Sequence, residues 1–354
     1  MRRPETKNIF ISLFNWMSWG YLTFLFAWLA AYLLTGDSFG YMALLNLLAV
    51  NFFFPLPLVL LAAVFFRWRG LGIASAMGLL AFVWFWGIQF LPDRFPTGQP
   101  ASAGSSALAE SPALTVMTYN VLATHTFTQP IIATIRHENA DVVFIQELNH
   151  ALARALQSEL GAEYPFQVFE AVDNASGIGT ISKYPLRPTG EQLPHRWIGG
   201  PQILELTWNA HTITAVNFHM HSTVRVGSLS YVEQTFRTRE EQAQLLLDLV
   251  RRSGSTILGG DANSVPLSDV HRILTADLQD AWRERGFGLG HTFPGSTVPG
   301  SDRPRIGPWY VPPWLARIDY ILHTGDWETL QARLAMFDGV SDHRGVVAQL
   351  RFKP

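Results

Sequence analysis

The sequence predicts an α/β domain built as a two-sheet β-sandwich flanked by helices, preceded by an all-α transmembrane region. Three observations lead to this prediction. Long apolar stretches fill the first 92 residues, short strand-like apolar runs recur from residue 114 onward, and helical patterns separate some of these runs while others follow one another directly. Strands mixed with helices in this way favour two packed sheets with helices on the outside.

The N-terminal region, residues 1–92, is predicted to cross a membrane three times. Apolar stretches at about 9–35, 41–66 and 71–91 each reach the roughly 20 residues that a hydrocarbon core of about 30 Å requires. Buried helices of a soluble domain would be shorter and carry a polar face, and a cleaved signal peptide would be shorter and end at a small-residue cleavage site. The sequence 54-FPLP-57 predicts a kink or break in the middle segment, or a re-entrant hairpin.

The distribution of basic residues predicts the orientation of these helices. Arg2, Arg3 and Lys7 precede the first stretch, and 67-RWRG-70 joins the second to the third, whereas the connection 36-GDSFG-40 has only an acid. The positive-inside rule therefore places the N-terminus in the cytoplasm. After three crossings, everything beyond residue 92 is expected outside a bacterial-type inner membrane.

The remainder of the chain is mildly acidic and free of cysteine. Only five of the 26 Lys and Arg residues and two of the 28 acids precede residue 93, so the rest carries a net charge of about −5. Such a domain lacks the electrostatic footprint of a protein that tracks a nucleic-acid backbone, although bound divalent cations would reverse that sign locally. The absence of cysteine excludes disulfides, zinc thiolate sites and cysteine nucleophiles. Residues 93–113, rich in Pro, Gly, Ser and Ala, predict a flexible linker.

The soluble domain is predicted to extend over 114–354. Apolar residues at helical spacing predict helices at 131–140 and about 236–252. Short apolar runs predict strands at 114–121, 141–148, 177–186, 202–208, 211–222, 255–263, 316–324 and 340–352. Several of these runs end in side chains suited to chemistry, as functional residues on such scaffolds often do: Asn120, Glu147, His219, Asp261, Asn263, Asp319, Asp342 and His343.

Taken singly, most of these residues have an ordinary structural explanation. Asp261 and Asn263 follow two glycines and are compatible with a turn. Glu147 is compatible with a helix cap, and His219 with a hydrogen-bonded histidine of the core. Asp319 is harder to explain, because it stands inside an apolar strand, where a carboxylate must be paired or its burial is costly.

The set as a whole resembles the endonuclease/exonuclease/phosphatase superfamily, and within it the deoxyribonuclease I-like and neutral sphingomyelinase-like branches. The matching motifs follow the family's order and span about 114–352. They are 118-TYNV-121, 146-QE-147, 217-NFH-219, 260-GDAN-263, 317-RIDYIL-322 and 341-SDH-343. The resemblance implies a deoxyribonuclease I-like catalytic domain over 114–354, in a membrane-anchored member of bacterial type.

The resemblance also implies a metal site. Glu147 matches the family's principal metal ligand, Asn120 is expected to help hold the metal and phosphate region, and Asp342 fits a second metal position. Hard oxygen ligands suit Mg²⁺ or Mn²⁺. One or two ions are therefore expected.

Catalytic roles follow from the same resemblance. Phosphodiester hydrolysis requires neutralised charge on the phosphate, an activated water and help for the leaving oxygen. Asp261 is expected to orient or deprotonate the attacking water, and Asn263 to donate to a phosphate oxygen. His343, positioned by Asp319, would contact the phosphate, and His219 resembles the second phosphate-contacting histidine of the deoxyribonuclease and sphingomyelinase branches.

Five further residues are candidates for substrate binding, each with a competing structural explanation. His221 is either a rim residue or a ligand. Arg239, near a helix start, is either a helix-surface charge or a phosphate-side group. The Pro/Gly/aromatic segment 291–314 is either a structured surface loop or a substrate wall. In the second case its aromatic side chains face the pocket or the membrane interface; they are Trp309, Tyr310 and Trp314.

The expected function is that of an extracytoplasmic, Mg²⁺-dependent phosphodiesterase, held at the lipid bilayer by its helices and acting on a lipid or lipid-linked phosphate. The alternative is an extracytoplasmic endo- or exonuclease that degrades DNA or RNA. A non-catalytic sensor is disfavoured because every expected catalytic position is filled. No obligate protein partner is inferred. The two glycines before Asp261 are expected to allow a tight backbone turn.

Overall fold

The computed structural model describes residues 5–91, 112–124, 126–194, 196–223, 228–295, 305–306 and 308–353. Almost all of the predicted linker 93–113 lies outside these ranges. The chain divides into two compact units, Met1–Ile88 and Gln89–Pro354. The first contains only helices, and the second contains both sheets.

The first unit is a group of apolar helices. They are α1 (Glu5–Thr35), α2 (Gly40–Leu47), α3 (Leu56–Phe65) and α4 (Arg69–Trp86), with a 3-10 helix at Ala49–Phe53. Within this unit, two buried hydrogen bonds link α1, α2 and the 36–40 connection. Trp28 Nε1 donates to Asn46 Oδ1 at 3.1 Å, and Asn46 Nδ2 donates to Asp37 Oδ1 at 2.5 Å. The acid of the 36–40 connection is therefore hydrogen-bonded rather than free.

Two helical stretches of this unit, Ile9–Thr35 and Arg69–Phe90, are long and apolar enough to cross a membrane, with mean hydropathies of 1.4 and 1.9. Gly40–Leu47 and Ala49–Phe65 form a pair bent by 64°, which adds a third crossing if the pair is one broken span. The break of this pair lies at Leu48, upstream of 54-FPLP-57, where the sequence predicted it. Pro57 instead sits in the first turn of α3, where a missing N–H removes no helical hydrogen bond.

The second unit alternates strands and helices. Its strands are β1 (Ala113–Asn120), β2 (Val142–Gln146), β3 (Phe166–Glu170), β4 (Ile178–Ser182), β5 (Leu186–Pro188), β6 (Gly199–Trp208), β7 (His211–His219), β8 (Thr256–Asp261), β9 (Gln279–Asp280), β10 (Arg305–Ile306), β11 (Trp309–Tyr310), β12 (Asp319–His323), β13 (Trp327–Leu334) and β14 (Val346–Phe352). Its helices are α5 (Gln129–Glu138), α6 (His150–Leu160), α7 (Leu229–Arg252), α8 (Asp269–Leu274) and α9 (Ala281–Arg285).

Two six-stranded mixed sheets form a sandwich. One has the order β13-β14-β1-β2-β4-β3 and the other the order β5-β6-β7-β8-β12-β9, while β10 and β11 pair separately. Apolar side chains that include Phe144, Ile213 and Trp327 fill the space between the sheets. Helices α5 and α6 pack on the first sheet, and α7 and α8 pack on the second. The predicted two-sheet sandwich flanked by helices is confirmed.

Sequence patterns did not predict five strands and three helices of the second unit, which are β3, β9, β10, β11 and β13, and α6, α8 and α9. Strands β3 and β13 lie at the two edges of the first sheet and are only partly buried. They therefore lack the continuous apolar runs that identify the central strands β2 and β8, whose residues are all buried. Helix α6 is short, with four fully buried positions.

The glycine pair before Asp261 serves a different purpose from the one expected. Gly259 and Gly260 lie inside β8, not in a turn. A Cβ on Gly259 would stand 2.2 Å from the Phe144 ring of the opposite sheet, and one on Gly260 would stand 2.1 Å from the backbone oxygen of Phe218. Close approach of neighbouring atoms, not backbone turning, therefore requires glycine at these two positions.

Candidate active site

The site lies at one edge of the sandwich, where strands of both sheets end. β1 and β2 run parallel, so Asn120 at the end of β1 and Glu147 just after β2 reach the same edge. β7 and β8 also run parallel, with His219 opposite Asp261. Asp319 begins β12 directly opposite Asp261. Five of the predicted residues are thereby brought together by strand register alone.

Asn120 connects the two sheets at this edge. Its Nδ2 donates to Glu147 Oε1 at 3.2 Å and to Asp261 Oδ2 at 3.1 Å. Its Oδ1 accepts from the backbone N–H of Leu122 at 3.1 Å, and Glu147 Oε2 accepts from that of Ala123 at 3.1 Å. One buried amide thus fixes a carboxylate from each sheet.

His343 and Asp319 form a buried carboxylate–imidazole pair. His343 Nδ1 lies 2.9 Å from Asp319 Oδ2, and its Nε2 lies 3.8 Å from Asp261 Oδ2. Burial alone would lower the pKa of His343, but Asp319 and, more weakly, Asp261 raise it to about 10. The imidazole is therefore protonated at neutral pH, and its Nε2–H is a charged donor facing Asp261.

Ser341 fixes the backbone that presents His343. Its Oγ donates to the backbone oxygen of Asn120 at 2.7 Å and accepts from the backbone N–H of His343 at 3.0 Å. The ring of Phe293 packs against the imidazole at 4.8 Å between centroids. These contacts hold the histidine in one orientation.

Asp261 is the acid at the centre of the cluster. Burial and the neighbouring Asp319 carboxylate raise its pKa to about 7, although His343 and the hydrogen bonds from Asn263 and Asn120 oppose that shift. His219 Nε2 lies 3.5 Å from Asp261 Oδ2, and burial lowers the pKa of His219. Two histidines with opposite pKa shifts therefore flank one carboxylate whose pKa lies near neutral pH.

Two site residues adopt backbone conformations that are uncommon for residues other than glycine. Glu147 has φ 59° and Asn263 has φ 49°. Asn263 donates its backbone N–H to Asp261 Oδ1 at 2.7 Å and its Nδ2 to the Met220 backbone oxygen at 3.0 Å. Such conformations occur at functional sites, but six other described residues that are not glycine also have positive φ, so the conformation alone does not mark the site.

The acids fit a hard divalent cation. Burial and, more weakly, the Glu147 carboxylate raise the pKa of Asp342 to about 6, although His343 opposes that shift, so the two acids repel each other. Asp261, Asp319 and His343 also offer ligand atoms within 4.8 Å of one another. Both sets of residues already make hydrogen bonds, so hydrogen bonding does not choose between them. Glu147, Asn120 and Asp342 remain candidates because a cation there would relieve the repulsion between Glu147 and Asp342.

Arg239 contacts the backbone of His221. Arg239 is 1% exposed, so it is not a helix-surface charge. Its Nη1 donates to the His221 backbone oxygen at 3.0 Å and to Thr223 Oγ1 at 3.1 Å, and its guanidinium lies 4.1 Å from the centroid of the Phe236 ring. Arg239 thereby supports the segment that follows β7.

His221 lines a cleft of the second unit. The cleft has a volume of about 770 Å³ and lies beside the first residues of β6, next to the end of β7. Its wall includes Glu170, Arg196, Trp197 and Gln202. Burial lowers the pKa of His221, and Arg239 and Arg196 lower it further, so the imidazole is neutral there. The residues that line the cleft do not include the acids or His343 of the cluster, and His221, two residues after His219, is what connects the cleft to the end of β7.

The three predicted aromatic residues differ in their surroundings. Tyr310 is 42% exposed. Trp314 packs edge-on against Phe337 at 5.0 Å and lies under the guanidinium of Arg344 at 3.6 Å. The side chain of Trp309 lies outside the described part of the chain. Trp314 therefore belongs to a packed cluster rather than to an exposed aromatic belt.

Sequence reasoning missed several residues that position the site. Asn217 accepts from Gln146 Nε2 at 2.7 Å and donates to the Gly179 backbone oxygen at 2.8 Å, joining the sheets below the cluster. Ser341 and Arg344 contact or adjoin His343. Asn217 and Ser341 stand inside the motifs 217-NFH-219 and 341-SDH-343, which is the only sequence signal they carry.

Comparison with known proteins agrees with this geometry. Three solved structures resemble the fold: an endonuclease/exonuclease/phosphatase from Beutenbergia cavernae DSM 12333 (22% identity, TM-score 0.50, covering 68% of this chain and 72% of that chain), humanized TDP2 of D. rerio (17%, 0.53, 68% and 99%), and a functionally unknown conserved protein from Enterococcus faecalis V583 (17%, 0.51, 68% and 100%). At these identities the likeness concerns the fold alone. No curated protein matches the chain significantly.

Fold and site together define a hydrolase scaffold of the kind that cleaves phosphoric esters. Residues 117–343 match the Endonuclease/Exonuclease/phosphatase family, so the chain belongs to that family. Its members act on phosphoric esters, generally with a divalent metal, and the buried Asp261, Asp319 and His343 cluster is compatible with such chemistry.

Proposed function

We propose that the protein is a membrane-anchored, extracytoplasmic phosphodiesterase that depends on Mg²⁺ or Mn²⁺ and acts on a lipid or lipid-linked phosphate. The proposal of a phosphodiesterase rests on the properties of Asp261, the acid at the centre of the cluster. Asp261 has a pKa near 7 and lies between His219 and the charged His343. A base whose pKa matches the working pH is the most effective at taking a proton from water.

Each residue of the cluster has a proposed role in the hydrolysis. Glu147, with Asn120 and Asp342, would hold the cation, which when bound neutralises charge on the phosphate and lowers the pKa of water. Asp261 accepts the proton of the attacking water. His343, kept protonated by Asp319, donates a hydrogen bond to the phosphate oxygen on which negative charge develops. Asn263 keeps the Asp261 carboxylate in place through its backbone N–H.

The membrane helices and the cleft support an organic phosphodiester near a bilayer. Two or three helices are apolar enough to cross a membrane. The basic residues at the N-terminus and in 67-RWRG-70 favour a cytoplasmic position for these two segments. With three crossings, the second unit then lies outside. The cleft of about 770 Å³ next to β7 has room for one alcohol of the diester. The net negative charge after residue 92 disfavours nucleic acid as substrate.

The substrate class is tested with the full-length protein in nanodiscs. With MgCl₂ or MnCl₂ we expect release of a phosphorylated head group from phospholipid vesicles, and slower or no cleavage of plasmid DNA and RNA. Asp261→Asn and Glu147→Ala serve as inactive controls. Cleavage of nucleic acid alone would establish the nuclease instead, and activity that survives both substitutions would exclude this site as its source.

The predicted orientation has a direct test, because the chain has no cysteine. Arg187→Cys introduces a single thiol on an exposed side chain of the second unit. A membrane-impermeant maleimide should label it in intact spheroplasts. Labelling only after lysis would place the second unit in the cytoplasm.

A further inference from the structure

Arg344 is a cation that directly follows His343 in the chain. Its guanidinium lies over the Trp314 ring, 3.6 Å from the ring centroid. Its Nε is buried without a hydrogen-bond partner. Across the described residues, no carboxylate forms an ion pair with it, although most other arginines of the second unit have one.

The position of Arg344 places this cation on the rim of the site. It directly follows His343, and its backbone N–H donates to the Thr292 oxygen at 2.9 Å. The next residue along that segment, Phe293, packs on the His343 imidazole, and the Pro294 oxygen accepts from the Trp314 N–H at 2.8 Å. The segment 292–294 thus carries the His343–Phe293 contact and the Arg344–Trp314 contact side by side.

A partly buried guanidinium without an anion is costly unless an anion arrives with a ligand. The Trp314 ring fixes the planar group by stacking but contributes no negative charge. Arginine in such a fixed orientation suits an oxygen anion, which it can bind through two parallel N–H donors. Arg344 is thus pre-oriented for a ligand that the protein itself does not supply.

We propose that Arg344, held on Trp314, binds an anionic oxygen of the substrate on the Trp314 side of His343. This inference rests on the proposed phosphoesterase function and adds a residue that sets its substrate preference. The anionic oxygen belongs either to the scissile phosphate or to a second acidic group of the same substrate. Both sources present the same chemistry, and kinetics can separate them.

The test compares two synthetic phosphodiesters that differ only in a terminal carboxylate. Arg344→Gln in the full-length protein should raise KM about tenfold or more, with a smaller change in kcat, as loss of a charge-assisted hydrogen bond predicts. An equal rise for both compounds assigns the contact to the scissile phosphate, and a rise only for the carboxylate compound assigns it to the second acidic group. Arg344→Lys, which keeps charge without the planar fork, should fall between wild type and Arg344→Gln.

Arg187→Gln is the matched control, because Arg187 is an exposed arginine paired with Glu205 away from the site. It should leave KM unchanged. If Arg344→Gln changes KM less than twofold for both compounds while wild type cleaves them, the inference is overturned and the proposed function stands. If wild type cleaves neither compound, the proposed function fails. The inference is then judged by binding of inorganic phosphate in calorimetry, which Arg344→Gln must weaken and Arg187→Gln must not.

Discussion

The second unit contains two buried aspartate–histidine pairs that have opposite electrostatic character. In the active site, Asp319 lies 2.9 Å from His343 Nδ1, with Asp261 as a further acid. On the far side of β12, Asp280 lies 2.9 Å from His271 Nε2 and is held by both terminal nitrogens of Arg317, at 3.1 and 2.8 Å. The second cluster contains its own cation, whereas the first has an excess of acids.

The pKa shifts express this difference. Burial would raise the pKa of Asp280, but Arg317 and His271 lower it well below its usual range, and burial lowers the pKa of His271. In the site, the pKa of Asp261 rises to about 7 and that of His343 to about 10. A structural cluster balances its charges internally, whereas a site for a metal and a phosphate leaves them unbalanced.

The largest expected effect is the loss of activity when the acid of the active-site cluster is replaced. Asp261→Asn should lower kcat by about 10³–10⁴-fold, or about 4–5.5 kcal/mol, because the general base is lost. Stability should stay the same or rise, since a neutral amide replaces a strained buried acid. Steady-state kinetics and thermal unfolding of the full-length protein measure the two quantities. A variant with more than a tenth of the wild-type kcat would remove Asp261 from the mechanism.

Asp280→Asn should do the reverse. Removing one partner of a buried ion pair leaves Arg317 as an uncompensated charge and costs about 3–5 kcal/mol of stability, while every site residue keeps its contacts. Chemical denaturation gives the stability change, and kcat is normalised to the folded fraction. A loss below about 1 kcal/mol would show that Asp280 is not what neutralises Arg317.

Sequence reasoning reached the first cluster but not the second, and the physical cause is visible in the chain. Glu147, His219, Asp261 and Asp319 follow or begin recognisable strands, so strand register alone brings them to one edge; their roles remain predictions. Asp280 ends β9, a strand of two residues without an apolar run, and Arg317, although it opens the motif 317-RIDYIL-322, precedes the first residue of β12.

The surroundings of some side chains escaped prediction for a related reason. One of the two explanations of Arg239, a helix-surface charge, followed from its place near a predicted helix start, but α7 begins at Leu229 and buries the side chain. Asn263 Nδ2 donates to the Met220 backbone oxygen, and the expected donation to a phosphate oxygen by its second N–H stays a prediction. Such partners depend on the path of the chain after β7, which local patterning does not specify.

A divalent cation should stabilise one cluster only. With MgCl₂ or MnCl₂ at 100-fold above its Kd, ion binding to the folded state contributes about 2.7 kcal/mol. We expect a rise in the unfolding temperature of wild type and an equal rise for Asp280→Asn from its lower starting point. Glu147→Gln should show little or none. Equal stabilisation of Glu147→Gln would place the ion elsewhere.

The smallest expected effect is the pH dependence of the metal-free protein. The folded pKa of His343, about 10, exceeds the unfolded value of about 6.5. Its contribution to stability is therefore complete below about pH 6.5 and is lost as the pH rises toward 10. The folded pKa of Asp280 is lowered, so its contribution is present above about pH 4 and is lost only in acid.

Raising the pH from 7 to 9 in EDTA should thus weaken the site cluster and leave the Asp280 cluster unchanged. We expect wild type to lose about 2.5 kcal/mol over this interval, measured by urea unfolding at each pH. Asp280→Asn should show the same dependence of stability on pH from a lower starting stability, because the cost of removing the Asp280 carboxylate does not change between pH 7 and 9. His343→Gln should show a flatter slope, since the titrating group is gone. If instead the slope disappears in Asp280→Asn, the excess charge lies in the Asp280 cluster and the contrast between the two aspartate–histidine pairs is reversed.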